Sequence, residues 1–239
     1  MKRIISATMV LALLLMGQAI GQAAEISCPA KDSACKEFAK LIDAGQFDKL
    51  IARVDARQNY SNEAKWLIGQ AYLLLAGKEG NTPEQEEQLC KKALEYGATS
   101  AYLGLYYLYA PKDKGKALGF LKQYIATKPD NMVPYMLLGE EELANKNYAS
   151  ADSYLRQARK VLRGASKDLD WALFQASYLT GDYYTASTML NSAFSQGKTV
   201  GDLKALVADP RFADMGKRSE FKKFFTIING TTTANMYAR

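Results

Sequence analysis

WLIGQAY at residues 66–72 returns at intervals of 35 as AYLGLYY (101–107), MLLGEEE (136–142) and WALFQAS (171–177). Gly69, Gly104 and Gly139 share one place in this register, and Phe174 takes that place in the fourth copy. Ile68, Leu103, Leu138 and Leu173 hold the position before it. A second set keeps the period: Tyr148, Ala151, Leu155 and Ala158 reappear as Tyr183, Ala186, Leu190 and Ala193. Self-similarity at this length, with a small residue, a turn and then alanines seven apart, predicts a stack of helical hairpins. A glycine inside a helix costs about 1 kcal/mol relative to alanine. Its return at one register position on the first helices therefore marks where the second helix approaches closely. The spaced alanines leave a flat strip on each second helix, where the next hairpin docks.

Helices are expected at 33–44, 47–58, 62–76, 84–96, 99–110, 114–127, 133–145, 148–162, 168–180 and 183–195. Gly45-Gln46 and Gly181-Asp182 read as tight interhelical turns, and Pro129 follows a helix it cannot continue. One or two further helices are expected from Val200 onward. The domain reading is thus a leader at 1–24, a repeat domain at 25–195, capping helices at 196–229 and a polar, frayed tail at 230–239.

The leader is a separate object. Lys2-Arg3 precedes the apolar run from Ile4 to Met16, and Gly21-Gln22-Ala23 offers small residues at cleavage spacing. The run is shorter than the ~20 apolar residues of a membrane span, so cleavage and export to a periplasm or the outside are expected. Glu25 stands where a lipoprotein signal wants an apolar residue, which argues against lipid on Cys28. An oxidising compartment permits disulfides, and Pro29 bends the chain between Cys28 and Cys35, the expected pair. Cys90, among Leu89, Ala93 and Leu94, reads as a buried free thiol; a Cys35–Cys90 bridge is the alternative.

The 239 residues carry a formal charge of +6, of which Lys2 and Arg3 supply two units, and 48% of the residues are hydrophobic. The basic clusters are mixed with acidic residues and read as solvated faces, so no nucleic-acid partner is expected. There is no histidine, which removes the commonest general base and imidazole metal ligation. Gly77-Lys78-Glu79-Gly80 lacks the spacing of a phosphate loop. The carboxylate runs at Glu84–Glu87 and Glu140–Glu142 lie along helices, where adjacent side chains point about 100° apart and do not face each other across a cleft. No cofactor, metal or catalytic residue is expected, and the chain is read as a non-enzyme. Asn59-Tyr60-Ser61 and Asn229-Gly230-Thr231 match glycosylation acceptors and carry little weight behind a bacterial-looking leader.

Residues 34–195 resemble tetratricopeptide (TPR) repeats, and 90–128 also resembles the related Sel1-like form. The resemblance rests on Trp66, Ile68-Gly69 and Tyr72; on Leu103-Gly104, Tyr107 and Pro129; on Leu138-Gly139, Tyr148, Ala151 and Ala158; and on Trp171, Gly181-Asp182-Tyr183, Ala186 and Ala193. Phe174 departs from the pattern, and the first hairpin keeps only Gly45 and Phe47. The residues around Asp209-Pro210-Arg211-Phe212 resemble the segment that closes such arrays. The resemblance implies an all-α, right-handed superhelix of about five stacked hairpins with a C-terminal cap.

It also implies a function: an exported scaffold or adaptor holding a protein or peptide partner in a bacterial envelope assembly. The alternative is a component that organises or acts on cell-wall or exopolysaccharide. A cysteine-bridged Sel1-like enzyme is disfavoured, since those carry a disulfide in each repeat and three cysteines exist here. In such arrays the first helices line a groove. The register then nominates Trp66, Gln70, Leu105, Tyr109, Met136, Glu140, Trp171, Gln175 and Tyr178 as partner-binding residues. Two readings of Trp66 and Trp171 stand side by side: groove anchors, or aromatic plugs in the core.

Overall fold

In the computed structural model, residues 27–127 and 129–228 are described; the expected signal peptide (1–24) and polar tail (230–239) lie outside them. Every element among the described residues is helical, with no strand. The chain divides into two compact units, Met1–Lys128 and Pro129–Arg239. That boundary falls inside the stretch 25–195 read as one repeat domain.

The first unit holds α1 (Ser33–Asp43), α2 (Phe47–Ile51), α3 (Asn62–Ala76), α4 (Pro83–Glu95), α5 (Ala101–Tyr109) and α6 (Lys114–Ala126). Caps explain the starts. Asp32 accepts the Cys35 amide at 2.8 Å, Ser61 accepts the Ala64 amide at 3.1 Å, and Thr82 with Gln85 forms a reciprocal capping box behind Pro83. Cys28 and Cys35 are joined, with Cα atoms 5.6 Å apart, and Cys90 is free and buried.

α2 is shorter than the expected 47–58. It stops at Ile51 because the following residues find other partners. The Asp55 carboxylate accepts the Arg57 amide at 2.9 Å, and the Tyr60 hydroxyl accepts the Asp55 amide at 2.9 Å.

Apolar clusters fill this unit, and two of them are built as follows. Phe38, Leu41, Ile42, Leu50, Tyr60, Leu67 and Ile68 form one; Leu73, Cys90, Ala93, Ala98, Ala101 and Leu105 form the other. The periodic glycines sit at their seams. A Cβ on Gly69 would stand 2.9 Å from Ala98 Cβ, beside the hairpin partner α4. A Cβ on Gly104 would stand 3.0 Å from Cys90 Sγ, so this glycine faces the preceding helix instead of its own partner.

The second unit holds α7 (Val133–Ala144), α8 (Tyr148–Val161), α9 (Lys167–Leu179), α10 (Tyr183–Ser195) and α11 (Val200–Val207). Three 3₁₀ turns follow (Pro210–Phe212, Met215–Lys217, Ser219–Phe221), and α12 (Lys222–Ile228) ends the described chain. α7 pairs with α8, α9 pairs with α10, and α8 packs on α9. Gly139 again marks the seam: a Cβ there would meet Leu155 Cγ at 2.5 Å. Where the register replaces glycine by Phe174, the ring is fully buried, 6.2 Å from Phe212 and 6.3 Å from Phe221. The segment after Val200 supplies those two rings, with Met215 and Phe224, to the same cluster.

Candidate functional site

α7 and α9 are first helices of consecutive hairpins in the second unit, and a cleft of about 420 Å³ lies along them. α7 contributes Glu140, Leu143 and Ala144; α9 contributes Asp168, Trp171, Ala172, Gln175 and Leu179. Spacings of three and four place each set on one helix face. Lys198 and Arg211 reach in from the later segments.

The orientation of α9 is fixed from its other side. Ser166 caps it, accepting the Leu169 amide at 3.4 Å. Asp170, fully buried, accepts hydrogen bonds through Oδ2 from Ser192 at 2.6 Å and Gln196 at 2.7 Å on the α10 side. Its Oδ1 has no hydrogen bond and lies 3.5 Å from Arg159 Nε on α8. On the same helix Ser177 is buried and donates to Asp152 at 2.7 Å, while Arg156 bridges Asp152 at 2.5 Å and Asp182 at 2.8 Å. With these polar groups locked against α8 and α10, Asp168, Trp171 and Gln175 are left on the cleft side.

Trp171 is half-buried. Its ring packs 5.3 Å from Phe174, and Lys198 Nζ stands 5.4 Å from the ring centroid while pairing with Asp168 at 3.1 Å. One ring thus both touches the core and lines the cleft. Gln175 donates to the Trp171 carbonyl at 3.3 Å. Arg211 is held by Asp209 at 2.6 Å. The Glu140 side chain reaches solvent, yet enough protein surrounds its carboxyl to raise its proton affinity, and the nearby Asp168 charge adds to that.

Of the nine nominated residues, Glu140, Trp171 and Gln175 come together here. Met136, one turn before Glu140 on α7, is half-buried and stays outside the lining. Tyr178 is buried, its ring 5.1 Å from Phe212 and its hydroxyl donating to Asp214, so it faces the core. In the first unit Gln70 and Leu105 are buried and cannot line an open groove. Trp66 is half-buried against the α1–α3 cluster. Tyr109 is half-buried, donates to Glu87 and carries Lys116 Nζ 3.7 Å from its ring centroid.

Sequence reasoning missed Asp168, Lys198 and Arg211. Asp168 lies three residues before Trp171 and was accessible to a helical-face count. Lys198 and Arg211 lie beyond the periodic region, where no register points to them.

Among the described residues no cluster of acidic or cysteine side chains is arranged to hold a metal ion, and no helix is long and apolar enough to cross a membrane. No protein-family model matches the chain, and no curated protein aligns with it.

Proposed function

We propose that this chain is an exported, TPR-like scaffold that holds a protein or peptide partner in a bacterial envelope assembly, without catalysis of its own. One observation carries the reading. Glu140 and Gln175, members of one 35-residue column, stand on successive first helices and line the same cleft beside Trp171. A binding surface built from equivalent positions of successive hairpins is what repeat proteins use to grip extended ligands. The three glycines seated against neighbouring helices support the hairpin-stack reading, and the Cys28–Cys35 bridge supports an oxidising compartment.

The test is affinity capture from native envelope extract with the full mature chain and with its Trp171→Ala variant. The expected result is one dominant protein partner, retained by the parent and depleted at least tenfold by the variant at equal folded concentration. Turnover of peptidoglycan or another glycan by the purified chain would overturn the scaffold reading in favour of polysaccharide chemistry.

A further inference from the structure

Among the described residues, the cleft of the second unit carries one charge without a partner of opposite sign. Lys198 is matched by Asp168, and Arg211 by Asp209. Glu140, on the opposite helix, forms no hydrogen bond or ion pair among the described residues; the second carboxylate, Asp168, is the charge that bears on it. A carboxylate crowded by protein and by a like charge is unfavourable until a cation reaches it. Beside it lies the Trp171 ring, and an indole face attracts ammonium and guanidinium groups. Lys198, 5.4 Å from the ring centroid, already uses that attraction from within the chain. Leu143 and Leu179 add apolar lining to the same cleft, the kind of surface against which an aliphatic stem packs.

We propose that this cleft receives a lysine or arginine side chain from an extended segment of the partner, with its stem along Trp171 and its charge against Glu140. An anionic group would meet two carboxylates and two cations that are already neutralised. A neutral group would leave the Glu140 charge uncompensated. The inference rests on the peptide-holding reading above and deepens it by fixing the chemistry of the occupant.

The test uses the full mature chain, a displayed library of random dodecapeptides, and synthetic copies of the enriched peptides followed by fluorescence anisotropy. Enriched peptides are expected to share a lysine or arginine. Replacing that residue with glutamine, or making Glu140→Gln, should each weaken binding about tenfold, and the two together little more than either alone. Because Glu140 reaches solvent, the variant should keep the parent's helical spectrum. Enrichment of peptides lacking a cation, or binding indifferent to Glu140→Gln, overturns this inference and leaves the peptide-holding reading intact. Failure to enrich any peptide overturns both.

Discussion

Lys146 and Gly181 are 35 residues apart, and each closes its hairpin in the left-handed conformation, with φ of +63° and +87°. The hydrogen bonds around them are the same. Asn147 N–H bonds to Glu142 C=O at 2.8 Å and Asp182 N–H to Ser177 C=O at 2.9 Å, the six-residue closure of a helix C-terminus. Gly45, with Gln46 bonded to Leu41 at 2.8 Å, repeats it in the first unit. Lys146 therefore occupies a glycine position, and its Cβ is strained there.

Lys146→Gly should accordingly stabilise the protein by about 0.5–1 kcal/mol, and Gly181→Ala should destabilise it by about 1 kcal/mol. Urea unfolding at neutral pH would show both. Equal effects of one sign would refute the equivalence of the two turns.

Gly139→Ala would drive a methyl into Leu155, at a cost of about 1–3 kcal/mol. Gly119, inside α6, has open space where its Cβ would be, so Gly119→Ala should stabilise by about 0.5–1 kcal/mol. The same denaturant series separates close packing from helix propensity, because propensity alone predicts that both changes stabilise.

Asp170→Ala would strip Ser192 and Gln196 of a buried acceptor and leave Arg159 without its anion. The expected loss is about 2–4 kcal/mol, with Asp170→Asn intermediate. A change under 0.5 kcal/mol in the melting profile of either variant would show that this junction contributes little.

Burial, with Glu86 and Glu87 adding, pushes the Cys90 thiol up to about 12 from an ordinary 9.0. The folded thiol thus stays protonated where the unfolded one ionises. Its contribution is complete below pH 9 and is lost as pH rises from 9 towards 12, about 1–2 kcal/mol of it by pH 10. Cys90→Ala should lose less stability than the parent over that interval. Parallel alkaline profiles would contradict the shift, and rapid alkylation of the native thiol would contradict its burial.

Phe212→Ala and Phe221→Ala, both fully buried beside Phe174, should each cost about 3–5 kcal/mol. Removing 200–239 should leave Phe174 and Tyr178 uncovered and the remainder prone to aggregate. A well-behaved, equally stable truncation, judged by sedimentation and thermal melting, would show that this segment is dispensable.

The helical class, the turns at Gly45 and Gly181 and the close hairpin packing at Gly69 and Gly139 were legible in the sequence, which favoured the Cys28–Cys35 pair and left a Cys35–Cys90 bridge open. Each of these depends on local spacing or on a residue type with one dominant physical use, and both survive in a linear string. The early end of α2 was decided by tertiary structure, because the Tyr60 hydroxyl that takes the Asp55 amide is held in place by the core around Phe38. So was the site. The register nominated nine residues from several columns, but a register cannot tell which members of a column are covered. Tyr178 is covered because Phe212 and Phe221 fold back on it, and Leu105 because it joins the cluster around Cys90. Lys198 and Arg211 reach the cleft through the fold after the last repeat. Burial and long-range charge pairing are properties of how segments meet in space, and periodicity records only what each segment is prepared to offer.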